Sequence, residues 1–375
     1  MTTSAVLTAI VTGAAGQDGY YLVSRLLADG VVVHAAVRDA SRSADLETLS
    51  NAERLTIHQL DITDTVAYRQ LIAQVRPDEF YNLAGLSSVQ TSFDDPTGTW
   101  RSNADAVQGL LEALRVESPA TRFYQSSSTD MFGSTPGVAA IHDESSAFMP
   151  QSPYAAAKAA AHVLCDAYRR AFDLRVACGI LSNHESRRRP ASFLTAKVAG
   201  YVRSLRAPFD DGQAPPGPLR VGNLAVRREW GFAPDYVDGM IRVCRQIAVR
   251  AEVTGKPAET DVGSNYRDYV LGSGRQHAVW ELIDRAFLLD GCPLEWDRSS
   301  SDPADWTAQL ADTGNPAVVV DPSFIRHADP ATIGTDPSKA RDELAWRPRG
   351  DLDAFLRDML AANPGVQDAG RERPT

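Results

Sequence analysis

From residue 5 to residue 181, short apolar runs alternate with longer stretches whose apolar residues recur at helical spacing. Residues 5–11 are apolar and enter a glycine-rich turn, after which residues 19–28 place Leu22, Leu26 and Leu27 on one helical face. The pattern predicts a strand, a turn and a helix. Residues 31–37 are rich in β-branched side chains and close this first unit, and residues 55–60, 79–83, 122–126 and 175–181 read as further strands. Between them, residues 64–75, 96–116 and 153–172 carry helical periodicity. Strands that alternate with helices imply an α/β architecture, a doubly wound parallel sheet covered on both faces.

Beyond Asn183 the rhythm changes. Arg187, Arg188 and Arg189 precede Pro190, residues 207–218 are rich in Pro and Gly, and later elements are shorter. We expect a smaller, discontinuous C-terminal substrate domain made of residues 185–231 and 275–361. The first domain then comprises residues 1–184 with returning segments near 232–250 and 266–274. Residues 362–375 are polar and should fray.

Composition narrows the partners. The chain has 375 residues, 43% of them hydrophobic, and a formal net charge of −10. That acidity argues against nucleic acid or an anionic membrane as a partner, while leaving room for a local basic pocket. No apolar run approaches the ~18 residues of a membrane span, and the N-terminus lacks a basic leader start, so a cytoplasmic location is expected. Cys165, Cys178, Cys244 and Cys292 lack the spacing of a zinc site or redox pair. They read as buried thiols, and no metal is expected.

Gly13, Gly16 and Gly19 follow a strand and open a helix, the context that turns a glycine pattern into a dinucleotide signal. Bare Cα atoms let a pyrophosphate reach the free amides of the helix N-terminus. Arg38 ends the second strand, where an acidic residue would hold an unphosphorylated ribose. This favours NADP over NAD, although Asp39 stands beside it. Asp61 and Ile62 follow the third strand, and Asn82, Leu83, Ala84 and Gly85 end the fourth with Ser87 close behind. Either segment reaches the cofactor or merely terminates its strand.

Tyr154 and Lys158 stand four residues apart, so a helix puts the phenol and the amine on one face, where the ammonium can lower the phenol's pKa. A tyrosine base beside a dinucleotide site oxidises a secondary alcohol.

With these residues in hand, the sequence resembles the GDP-mannose 4,6-dehydratases, within the extended short-chain dehydrogenase/reductase superfamily. The likeness runs over most of the chain. It rests on the turn Thr12-Gly13-Ala14-Ala15-Gly16-Gln17-Asp18-Gly19, on Ser152-Pro153-Tyr154 leading to Lys158, and on Asn183-His184-Glu185-Ser186 followed by Arg188 and Arg189. Gly222-Asn223-Leu224, Arg228, Trp230-Gly231, Asp235-Tyr236-Val237, Asp321-Pro322 and Arg326 also fit, as do Asp336-Pro337 and Lys339-Ala340.

The resemblance implies a Rossmann-like fold and a cofactor site that includes Gln17, Asp18, His184 and Arg189 besides the glycines, Arg38, Tyr154 and Lys158. It places Ser128 and Asp130 where the family has a catalytic threonine and glutamate, and assigns Asn183, Lys197, Arg228 and Arg326 to a GDP-sugar, together with Ser128. On charge alone Arg187–Arg189 would read as a solvated corner. Besides Ser128, four positions depart from the family: Asp130 is one methylene shorter, Leu86 and Ser88 replace glutamine and histidine, and Ser182 replaces phenylalanine. The span from Arg38 to Asp61 is short for the family, so a homodimer is expected rather than a tetramer. Two other readings compete. One is a nucleotide-sugar 4-epimerase, which needs no acid at Asp130; the other is a cofactor-binding regulatory protein, which intact Tyr154 and Lys158 oppose.

Overall fold

Seven strands form one parallel sheet: β1 (Thr8–Thr12), β2 (Val32–Val37), β3 (Leu55–Gln59), β4 (Glu79–Asn82), β5 (Arg122–Ser128), β6 (Val176–Leu181) and β7 (Tyr269–Leu271). The computed structural model describes residues 6–134, 140–206, 216–325 and 333–362. Arg326, most of the Pro/Gly-rich stretch and nearly all of the tail lie outside the described residues. Strand order is β7-β6-β5-β4-β1-β2-β3. The chain leaves β1 in one direction through β2 and β3 and returns to its other side with β4. This reversal opens a crevice at the carboxyl ends of β1 and β4, where ligands bind in such sheets.

The helices that matter here are α1 (Gln17–Ala28), α2 (Thr65–Val75), α3 (Ala106–Glu117), α4 (Pro153–Phe172), α5 (Leu194–Ser204), α6 (Ala233–Cys244), α7 (Val279–Leu289) and α8 (Leu352–Leu360). Alternation along the strands sorts the core into two layers. Val11, Tyr81, Tyr124 and Leu271 meet α1 and α6 through Leu22, Leu26 and Met240. Ile10, Phe80, Phe123 and Cys178 meet α2, α3 and α4 through Ile72, Leu110 and Cys165. Ser152 caps α4 by accepting from Ala155 N at 3.1 Å, and Pro153 fits the first turn because no amide is needed there.

The second body has its own core of Val198, Val202, Leu282, Phe287, Val318 and Phe355, built from α5, α7, α8 and a small sheet. That sheet runs Leu294–Asp297, Thr307–Leu310, Pro316–Val320, Leu219–Val221. The strands Asn183–Glu185 and Arg227–Phe232 pair in parallel and carry the chain between the two bodies.

Three sequence expectations need correcting. Helix 96–116 is broken by a π turn at Arg101–Asp105 between Pro96–Trp100 and α3. The fifth strand runs two residues further than expected, which puts Ser128 at its tip. Ala340, Leu344 and Trp346 belong to the large sheet's core although the boundary 275–361 assigned them to the smaller body. The Trp346 ring meets Tyr236 edge-on at 5.6 Å and its Nε1 donates to Asp235 O at 2.9 Å, so one aromatic contact pulls this segment back.

Candidate active site

The glycine turn lies at the switch point between β1 and β4. Gly13 has φ +66°, and a Cβ there would come within 3.0 Å of the Leu83 and Ala84 backbone. A Cβ on Gly19 would meet Gly13 O at 2.2 Å, so α1 approaches the turn as closely as backbone allows. Gly16 is the N-cap of α1 and brings no side chain to the first-turn amides. This is a cradle fit for a pyrophosphate.

Gln17 and Asp18 grip the Asn-His-Glu-Ser block directly. Gln17 Nε2 donates to His184 O at 2.9 Å, and Ser186 Oγ donates to Gln17 Oε1 at 2.9 Å. His184 faces Asp18 Oδ2 through Nε2 at 2.9 Å and the Ser182 carbonyl through Nδ1 at 2.8 Å. Both partners are acceptors, which favours a proton on each ring nitrogen. Burial alone would push His184 down, but Asp18 and the Ser182 carbonyl outweigh it and raise it. Burial likewise opposes ionisation of Asp18, yet His184, Gln17 and Arg189 hold its carboxyl below the usual range. The two motifs are 167 residues apart. Sequence marked each of them but not their contact.

Ser128 ends β5 and accepts from Asp130 N at 3.2 Å, which starts the one-turn helix Thr129–Phe132 that carries Asp130. Tyr154 and Lys158 stand one turn apart on α4, with Lys158 Nζ 5.9 Å from the centre of the Tyr154 ring. The structure corrects the expected pKa of the phenol. Burial, then the charge of Asp130, push Tyr154 up, against a hydrogen bond with Ser128 and the charge of Arg189. Lys158 turns to Ser126 O at 2.9 Å, and burial pulls its ammonium down to about 8. Desolvation penalises both charged forms, so the pair does not make a phenolate unaided.

Arg189 lies along Glu185 at 3.1 Å and over the Phe193 ring at 3.7 Å, and its charge reaches Asp18, His184 and Tyr154. Its two neighbours are occupied elsewhere: Arg187 with Asp358, Arg188 with Asp45 and the Tyr20 ring. Arg38 is exposed at the end of β2, flanked by Asp39 and Asp61. Each carboxylate is held by its own turn, Asp39 by Ser41 N at 2.9 Å and Asp61 by Thr63 N at 2.8 Å. Ile62 is buried, Leu83 and Ala84 border the turn, and Ser87 is exposed just beyond them.

In the second body, Lys197 Nζ donates to Arg220 O at 2.7 Å and sits 4.1 Å from the centre of the Phe324 ring. Arg228 donates to Arg227 O at 3.0 Å, and Asn183 is exposed at the start of its strand. Two of the departures acquire reasons. Ser182 Oγ meets Tyr236 Oη at 2.7 Å, and the Tyr236 ring stacks on His184 at 4.5 Å. Ser88 caps the helix Val89–Asp94 by accepting from Thr91 N at 3.1 Å. Sequence reading missed Tyr236, Glu185, Arg220 and Phe324 as parts of this region, although Tyr236 and Glu185 lie in motifs it had noted.

All four cysteines are free, and three are buried. Cys178, His162 and Asp268 bring one ligand atom each within 4.8 Å of one another. Arg169, however, holds both Asp268 oxygens at 3.0 and 2.7 Å, and a guanidinium there repels a metal cation. The cluster is an ion pair, with His162 Nε2 3.6 Å from Asp268. Burial would lower His162, but Cys178 and Asp268 outweigh it and raise it to about 9. Its contribution to stability is therefore fully present below the ordinary value of 6.5 and is lost as pH rises through about 9. His162→Asn should remove that dependence, on the order of 3 kcal/mol. Melting temperatures of both proteins across this range check it, and parallel curves would contradict it.

A Tyr-Lys pair beside a glycine cradle at the switch point of this sheet defines an extended short-chain dehydrogenase/reductase. The family model described as GDP-mannose 4,6 dehydratase matches residues 10–359. This chain belongs to that family. It is 33% identical to GDP-mannose 4,6 dehydratase 2 of Arabidopsis thaliana, over 97% of this chain and 92% of that protein. It is 34% identical to GDP-mannose 4,6-dehydratase of Sinorhizobium fredii, over 90% and 91%. Among solved structures it is similar to dTDP-glucose 4,6-dehydratase of Bacillus anthracis in complex with NAD, with TM-score 0.70, 16% identity and 95% and 96% coverage. It is also similar to RMD of Pseudomonas aeruginosa complexed with NADPH, with TM-score 0.69, 21% identity and 97% and 100% coverage. These two likenesses concern the fold.

Proposed function

We propose that this protein is a GDP-mannose 4,6-dehydratase, which converts GDP-mannose to GDP-4-dehydro-6-deoxy-mannose. The observation that carries this reading is Asp130, close enough to Tyr154 for its charge to raise the phenol. A 6-hydroxyl leaves with difficulty while the C5 proton is hardly acidic, and a C4 ketone removes that obstacle. A nicotinamide held by the glycine cradle with Tyr154 and Lys158 would supply reversible hydride transfer, from C4 and back to C6. Tyr154 takes the proton of the 4-hydroxyl, and Ser128 hydrogen-bonds the same oxygen. Asp130 removes the C5 proton and hands it to the departing 6-hydroxyl, which leaves as water. The proton held on Tyr154 is then free to return to C5, so the cycle closes with loss of one water. Buried Tyr154 and Lys158 need added positive charge to favour the phenolate, and Arg189 with the oxidised cofactor supplies it.

The cofactor we favour is NADP. Arg38 stands exposed at the end of β2, while Ser41 holds the nearby Asp39 carboxylate in its own turn. Asn183, Lys197 and Arg228 line the proposed GDP side, with Arg326 assigned there on family likeness. Exposed Phe93, Trp100 and Val163 lie on neighbouring helices that include α4, and we propose that they join two copies in a homodimer. Among the described residues no helix is long and apolar enough to cross a membrane. The free thiols fit a reducing cytoplasm, which we propose as the location.

Incubation with GDP-mannose followed by mass spectrometry tests the assignment: a product lighter by one water and bearing a 4-ketone is expected. An isomer of unchanged mass would replace it with epimerisation. Tight cofactor binding without turnover would point to a regulatory protein.

A further inference from the structure

A buried chain of hydrogen bonds crosses three strands between the glycine turn and Lys158. Leu83 N and Ala84 N donate to Thr12 Oγ1 at 3.1 and 3.0 Å, and Thr12 donates on to Asn82 Oδ1 at 2.7 Å. Asn82 Nδ2 donates to Gln125 Oε1 at 2.8 Å, and Gln125 Nε2 donates to Ser126 O at 2.9 Å. Lys158 Nζ donates to that same carbonyl, also at 2.9 Å. Register explains the alignment: Thr12 pairs with Asn82 and Asn82 with Gln125 across β1, β4 and β5, so all three side chains share one face. Asn82 and Gln125 are each 1% exposed, so no water substitutes for a lost partner. The direction of the chain is also settled. Flipping either amide would set oxygen against oxygen, at Gln125 or at Ser126.

We propose that Gln125 is a positioning residue that couples the cofactor turn to Lys158 through this chain. It shares the carbonyl that orients the Lys158 ammonium, and Asn82 and Thr12 tie it to the Leu83–Ala84 loop bordering the turn. The inference rests on the reading that the turn and Lys158 hold a nicotinamide cofactor, and not on the identity of the sugar. A shift at one end is therefore felt at the other, and cofactor affinity depends on an intact ladder.

Binding of NADPH, with NADH as a second probe, is followed by nicotinamide fluorescence without any sugar present. Gln125→Leu should weaken binding about tenfold, the order set by one buried hydrogen bond. Gln125→Glu is the decisive variant, because its carboxyl donates to Ser126 O only when protonated. It should bind like the wild type at acid pH and like Gln125→Leu at alkaline pH. Lys158, on which Cys178, Cys165 and Asp18 act, titrates in every variant and is accounted for by the wild-type profile, so the carboxyl introduced in Gln125→Glu beside the Ser126 carbonyl is the one added group. Thr12→Val and Gln125→Leu should be non-additive, the double variant binding about as well as the weaker single one. Melting temperatures confirm that each variant is folded. A pH-independent loss in Gln125→Glu, or additive effects in the double variant, would overturn the coupling. Failure of the wild type to bind either nucleotide would sink the cofactor reading and this inference with it. Failure to turn over GDP-mannose would touch only the choice of substrate.

Discussion

Asp130→Asn is expected to permit C4 oxidation and to slow water loss by about a thousandfold, within the range for losing a general acid–base group. Stopped-flow absorbance of the reduced nicotinamide should show it accumulate and persist, because no C5–C6 alkene forms to take the hydride back. A second effect follows from the same substitution. The Asp130 charge holds the Tyr154 phenol up, so removing it lets the phenol ionise at lower pH. The acid limb of C4 oxidation should move to lower pH in the variant. Unchanged product formation would remove Asp130 from the mechanism. It would also bring the shorter aspartate under suspicion, since a displacement near 1 Å can cost on the order of a hundredfold.

Tyr154→Phe is expected to act one step earlier and at least as strongly. With no hydroxyl to receive the O4 proton, the initial oxidation itself should fall by about a thousandfold or more, and no transient reduced nicotinamide should appear. Cofactor binding should survive, because the cradle of Gly13, Gly16 and Gly19 is untouched. In the wild type, the rate of C4 oxidation should decline as pH rises through about 8, where Lys158 loses its proton and with it the charge that favours the phenolate. An alkaline limb that survives in Lys158→Met would assign it to another group. Rapid reduction of the nicotinamide by Tyr154→Phe would refute the tyrosine base.

Much of the large sheet could be read in the sequence because its strands are short apolar runs and its helices carry strong periodicity. Helix 153–172 was legible to the residue, since Ser152 and Pro153 announce its start and Asp173 ends it with a left-handed turn. The break at Arg101–Asp105 was not legible, because those five residues include neither Pro nor Gly to mark it and the chain is helical on both sides. Motif positions such as Tyr154, Lys158, Gly13 and His184 were also visible one by one. Their protonation states were not. Spacing suggested that Lys158 would lower the Tyr154 phenol, whereas burial, the Ser126 carbonyl and the nearby Asp130 decide otherwise.

The chain by itself determined the alternation of strand and helix, the glycine cradle, and the residue types available for chemistry, because each of these depends on neighbours a few positions away. Tertiary structure alone decided that Asp18 would meet His184, that Trp346 would return to the first core, and that Thr12, Asn82 and Gln125 would line up across three strands. Those contacts depend on sheet order and register, which bring residues about 40 to 170 positions apart within reach of one hydrogen bond.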